Sequence, residues 1–218
     1  MYVLRNNDTQ GKELGTLYLC QDKETTRTMN SIEYKDFVHD LILRGDGRTF
    51  LNSDEEHALI VLTELINMAK EELRIFAGSL TGKVGSAPEY IIALSEFIER
   101  GGKLRILLND YQPNSSEAKS SRLYRRLSYY QSLDKPVIIK STNTRPYRTN
   151  DPSNTPVHFT VADRKGYRLE TDTNERSAQC SVDDPLLSSA IADFFDSIFI
   201  APASEEINFV EFFNDVDK

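Results

Sequence analysis

Cysteine is nearly absent from this chain: Cys20 and Cys180 are the only two in 218 residues. Two thiols cannot make a zinc site by thiolates alone, and in a reducing compartment they are expected to stay unpaired. Histidine is as scarce, with His39, His57 and His158 scattered along the chain. No cluster has metal-ligand spacing, and the paired acidic residues stand at helix starts, where capping accounts for them. Neither a metal nor another cofactor is expected. No apolar run approaches the roughly 20 residues of a membrane-spanning helix. The start, MYVLRNNDTQGKEL, lacks the basic residues and apolar core of a signal peptide. A soluble, cytoplasmic protein with no membrane span is the expectation.

Positive charge is also in deficit, 26 basic against 34 acidic residues, a net charge of −8. That balance argues against nonspecific affinity for nucleic acid, but the distribution is uneven. From Lys103 to Arg148 ten basic residues face three acidic ones, a local +7, whereas from Asp183 to the C-terminus nine acidic residues stand against Lys218 as the one base. Such asymmetry fits a basic face for a phosphate-bearing ligand with an acidic tail that screens it, or ordinary solvated helix faces.

With 39% hydrophobic residues the chain can bury a core as one domain with a small appendage. Residues 1–52 read as an arm, with a β-like run at Thr16–Cys20, and a helix from Ile32 to Leu43 that stops at Gly45. Residues 53–200 read as the main domain and 201–218 as an acidic tail or short helix. In the main domain Ser53-x-x-Glu56, Ser86-x-x-Glu89 and Asn114-x-x-Glu117 have the spacing of helix-start signals. Apolar residues follow each at helical periodicity. Between these helices lie short apolar runs, Leu73–Ala77, Leu104–Leu108 and Val137–Ile139, and strand, crossover helix and strand in about 35 residues make a right-handed parallel unit. Val157–Ala162 and Tyr167–Thr171 then pair as a hairpin across Asp163-Arg164-Lys165-Gly166. A strand at Ala178–Val182 and a helix capped by Asp184 with Pro185 follow. The fold class is therefore α/β, a mixed, largely parallel sheet flanked by helices.

The order of elements, EYIIALSEFIERGGKLRILLND (89–110) and SVDDPLLSSAIADFFDSIF (181–199) resemble the phospholipase D-like superfamily over about one repeat, Ser53 to Ile200. In that family the chemistry is carried by a histidine, a lysine two residues on and an aspartate five further, with a Gly-Ser/Thr-x-Asn group downstream. The histidine attacks phosphorus, and the lysine and polar groups bind the phosphate oxygens. Aligned on the strand, Asp163 matches the aspartate, His158 falls at the lysine and Pro156 at the nucleophile. Glu170-Thr171 stand where glycine and a hydroxyl residue belong. Aligned instead on His158 as nucleophile, Thr160 and Lys165 fall at the other two positions. Either register breaks the motif. No second repeat is present, and the resemblance implies a homodimer.

Strand alternation places His158 nearly opposite Glu170, with Arg168 and Glu170 on a shared face. Such a group can bind phosphate, perform acid/base chemistry, or form a structural salt bridge. SSRLYRRLSYY (120–130) brings Arg122, Arg126 and Tyr129 within reach of one helix face with Arg125 beside it, a mixture suited to phosphate contact and base stacking. Arg145 and Arg148 stand in the proline-rich loop 141–156. The expected function is a non-catalytic phospholipase D-like module that binds a phosphate-bearing ligand, nucleic acid rather than lipid, through His158, Asp163, Arg168 and these arginines. One alternative is a divergent phosphodiesterase or nuclease using His158 with Glu170. Another is an interaction subunit whose acidic, aromatic C-terminus contacts a larger enzyme partner.

Overall fold

The computed structural model describes residues 2–7, 13–19, 29–52, 54–148, 157–172 and 177–216, with backbone alone at 2–7, 13–19, 148 and 171–172. β1 (Tyr2–Asn7) and β2 (Glu13–Leu19) pair antiparallel. α1 (Ser31–Arg44) begins where the Asn30 side chain accepts from the Ile32 and Glu33 N–H groups, and it ends at Gly45 in the left-handed region, φ 60. β3 (Phe50–Asn52) leads into α2 (Glu55–Met68), and β4 (Glu72–Ala77) into α3 (Lys83–Ser86) and α4 (Pro88–Glu99). β5 (Lys103–Leu108) is followed by α5 (Ser116–Ser120), α6 (Arg122–Ser132), β6 (Val137–Thr142) and β7 (Tyr147–Arg148). The chain closes through β8 (Phe159–Ala162), β9 (Gly166–Asp172), β10 (Ser177–Ser181), α7 (Pro185–Phe199), β11 (Ser204–Glu206) and α8 (Phe209–Val216).

Three helix starts differ from the expected ones. Asp54 caps α2, accepting from His57 N, and Ser53 lies outside the described residues. α4 starts with Pro88 behind Ala87 and has no side-chain cap, because Ser86 belongs to α3 and its hydroxyl donates to Thr81 O. The helix expected from Asn114 is two helices, capped by Ser115 and Ser121. Asp184 and Pro185 start α7 as expected.

The main sheet runs β11-β6-β5-β4-β8-β9-β10-β3. β4, β5 and β6 are parallel, as crossover helices require, and the other pairs are antiparallel. Alternation splits the core. Ile75, Ile106 and Ile139 point to the layer of α1, α2, α4, α6 and α8, while Phe76, Leu107, Val161, Tyr167 and Leu169 meet Ile191, Phe195 and Ile198 of α7. The aromatic C-terminal segment docks on its own domain: Phe209 stacks on Tyr124 at 4.3 Å, and Gln131 bonds Ile207 O and Phe209 N. No helix among the described residues is long and apolar enough to cross a membrane.

Candidate functional site

The C-terminal edges of parallel strands are where an open α/β sheet leaves a crevice. At this edge the chain leaves β4 through Gly78–Gly82 into α3. A Cβ added at Gly78 would lie 3.6 Å from His158 Cε1, an ordinary contact, so the loop passes beside the imidazole. Leu80 is held at φ 59, and a Cβ at Gly85 would fall 1.9 Å from its carbonyl oxygen, so glycine alone lets α3 close under the loop. The Tyr124 hydroxyl donates to Ser79 O, tying the loop to α6. Between this loop, α2, α4 and the inner face of β4, β8 and β9 lies a cavity of about 510 Å³.

One wall of the cavity is polar. The β8–β9 hairpin sets Thr160 against Arg168, and Glu170 N donates to His158 O at 2.8 Å. His158 Nδ1 stands 3.0 Å from Glu170 Oε2, and the other Glu170 oxygen accepts from Arg168 Nη1 at 3.2 Å. Arg168 Nε donates to Asn52 Oδ1 at 3.0 Å. The Arg168 and Glu170 side chains are each 5% exposed and His158 19%. With its Nδ1–H directed to the carboxylate, the imidazole keeps Nε2 for an occupant, as acceptor when neutral and donor when protonated. Burial raises the Tyr90 hydroxyl above its ordinary pKa, and the Arg168 charge lowers it only in part, so Tyr90 lines the cavity as a neutral phenol. Asp110 and Glu117 stand exposed at the rim.

The other predicted residues are not gathered here. Asp163 sits in the hairpin turn, at the end of β8 remote from His158, at φ 50. Its carboxylate accepts from Lys70 N at 2.6 Å, Glu71 N at 2.9 Å and Glu72 N at 2.8 Å. It pins the entry to β4. Arg122, Arg125 and Arg126 flank a separate surface groove with Pro88, Ile91, Ile92 and Tyr129. Arg125 lies 4.4 Å over Phe213, and Arg126 donates to Ser95 Oγ at 3.1 Å. Arg145 is exposed, the Arg148 side chain lies outside the described residues, and so does Pro156. The basic run from Lys103 is not one face. Lys103 and Arg105 meet Glu72 at 3.2 and 2.6 Å, Lys135 meets Glu99 at 3.5 Å, and Lys140 donates to Phe199 O. Asn52 and Tyr90 were not expected in the site, since each comes from a different element and carries no motif. No group of three or more metal-ligating side chains gathers among the described residues.

No protein-family model and no curated protein matches the chain. Its fold is similar to that of Nuc from Salmonella typhimurium, a phospholipase D family member, with a TM-score of 0.52 at 14% identity over 74% of this chain and 99% of Nuc. NucT from Helicobacter pylori gives 0.50 at 14% over 74% of this chain and 100% of NucT. TrmBL2, an archaeal chromatin protein whose structure shows a novel mode of DNA binding, gives 0.53 at 14%, over 79% of this chain and 61% of TrmBL2. At these identities the likeness is one of fold, a mixed α/β sheet of phospholipase D-like form.

Proposed function

We propose that this chain is a non-hydrolytic phospholipase D-like module that binds a phosphate-bearing ligand, a nucleic acid, with one phosphate against His158. The observation that carries the reading is the 3.0 Å pair between His158 Nδ1 and Glu170 at the mouth of the cavity. The carboxylate orients the ring through Nδ1, which leaves Nε2 directed to a phosphate oxygen as a hydrogen-bond partner. Hydrolysis needs more. In-line phosphoryl transfer takes a nucleophile, a proton for the leaving group and cations on the equatorial oxygens. Among the described lining residues His158 is the one imidazole, no lysine is present, and the guanidinium of Arg168 is engaged by Asn52 and Glu170. The adjoining segment 149–156, TNDPSNTP, contains neither histidine nor lysine. Arg122, exposed on α6, and Arg126 beside it supply charge for further phosphates.

Fluorescence anisotropy with a labelled single-stranded 12-mer tests the reading. Binding without turnover is expected, with His158→Ala weakening it about 10-fold, or about 1.4 kcal/mol. Arg122→Ala with Arg126→Ala should flatten the salt dependence. Cleavage of the 12-mer or of a simple phosphodiester, lost in His158→Ala, refutes the non-hydrolytic reading in favour of a divergent phosphodiesterase. We also take the module to act as a homodimer, and a solution mass of 24.9 kDa rather than twice that would refute it.

A further inference from the structure

The cavity behind His158 is larger than a phosphate requires. Its volume, about 510 Å³, falls in the roughly 300–1,000 Å³ range of sites that enclose an organic ligand. Ala58 and Leu62 of α2, Ile75 of β4 and Val84 of α3 make one side apolar. An anion seated against them would face no cation that is not already engaged, so the inner occupant is uncharged. Yet it is not purely apolar. Tyr90, 1% exposed, and Thr160, 4% exposed, also line the cavity. A hydroxyl both donates and accepts, so these two offer hydrogen-bonding groups to an occupant. An acyl chain would leave them unmet. A flat heteroaromatic ring meets both requirements, with faces against aliphatic carbon and polar edges against hydroxyls, the way enzymes hold a base drawn out of its stack.

We propose that this chamber receives one unstacked nucleobase of a single-stranded nucleic acid whose adjoining phosphate lies against His158. It rests on the phosphate-binding reading of His158, and adds that the bases, not the backbone alone, are recognised. The test compares a 12-mer of thymidylate with a 12-mer of abasic sugar-phosphate of the same length and charge, on the full chain. The expected result is at least 10-fold tighter binding of thymidylate. Thr160→Val, which is close to isosteric, and Ala58→Phe, which fills the chamber, should each reduce that ratio while leaving the abasic affinity unchanged. Tyr129→Ala, in the separate α6 groove, should leave the ratio intact. Equal binding of the two oligomers by the wild type overturns the proposal without any variant. If both are then weakened by His158→Ala, the phosphate reading stands alone. A ratio erased by Tyr129→Ala and not by Thr160→Val also overturns it, as does phosphatidylglycerol vesicle binding that displaces the oligomer and weakens in Ala58→Phe. Binding of neither oligomer overturns both readings.

Discussion

Replacing Asp163 separates a ligand contact from a structural clamp. Its carboxylate accepts from three consecutive backbone N–H groups, at 2.6, 2.9 and 2.8 Å, where α2 gives way to β4. Two of these bonds are exposed and one is part-buried. Water can replace the exposed partners, so each is worth about 0.5–1 kcal/mol, and the part-buried bond to an ionised group about 1.5–3 kcal/mol. Asp163→Gly loses all three without steric penalty at φ 50, for a loss of about 2.5–5 kcal/mol. Asp163→Ala adds about 1 kcal/mol for a side chain other than Asn or Asp in the left-handed region. Asp163→Asn keeps one acceptor oxygen and the tolerated backbone, and should lose about 1–2 kcal/mol. Urea unfolding resolves the series, since about 2 kcal/mol per molar denaturant turns the alanine loss into a midpoint shift of more than about 1.5 M. Oligonucleotide affinity at low temperature, where all variants are folded, should not change. An alanine variant of wild-type stability, or one that is stable and fails to bind, refutes the clamp and returns Asp163 to the ligand.

Two further perturbations test the frame around the site. Burial alone would raise the Glu72 carboxyl, but the Arg105 and Arg74 guanidinia and Lys103 outweigh it and hold its pKa below the ordinary 4.5. A carboxyl depressed on folding stabilises above its unfolded pKa and loses that contribution as pH falls through the folded value. Glu72→Gln should therefore be less stable than wild type at pH 7 and converge with it below the ordinary carboxylate range, as measured by urea midpoints against pH. A gap that persists undiminished in acid refutes the assignment. Gly85→Ala should destabilise by about 3 kcal/mol or more and weaken ligand binding, because the added carbon meets the Leu80 carbonyl oxygen at 1.9 Å and displaces the loop beside His158. A variant that unfolds and binds as wild type does would show that the loop has room.

What was legible in the sequence is what local chemistry determines. Alternation and a turn of suitable length predict the β8–β9 hairpin, and with it the meeting of His158 and Glu170, because register in a short hairpin follows from the turn. Helix starts were misplaced where two neighbours could both cap. Ser53 precedes Asp54 and Asn114 precedes Ser115, and spacing does not say which backbone turns first. The basic stretch was misread for a different reason. Arg105 and Arg74 sit side by side on the α7 face, where besides Glu72 they share Asp196, from a helix more than 90 residues away in sequence. No spacing rule reaches a partner that only the tertiary fold supplies. Asn52 and Tyr90 were missed on the same account.

Glu170 answers two demands, and they differ in kind. Arg168 is buried and must have a carboxylate near it, since a buried guanidinium without one is strongly destabilising. A carboxylate at Glu170 therefore follows from Arg168 whatever the chain does. His158 is under no such obligation. Its ring is the most exposed of the three, it stands at the cavity mouth beside Gly78, and its removal would leave the Arg168–Glu170–Asn52 chain intact. A side chain that the core does not need, oriented by one that the core does need, is the arrangement by which a fold presents a group to a ligand. Asp163, clamped on backbone at the other end of the same strand, shows the opposite case: a residue whose geometry is fully accounted for by the fold.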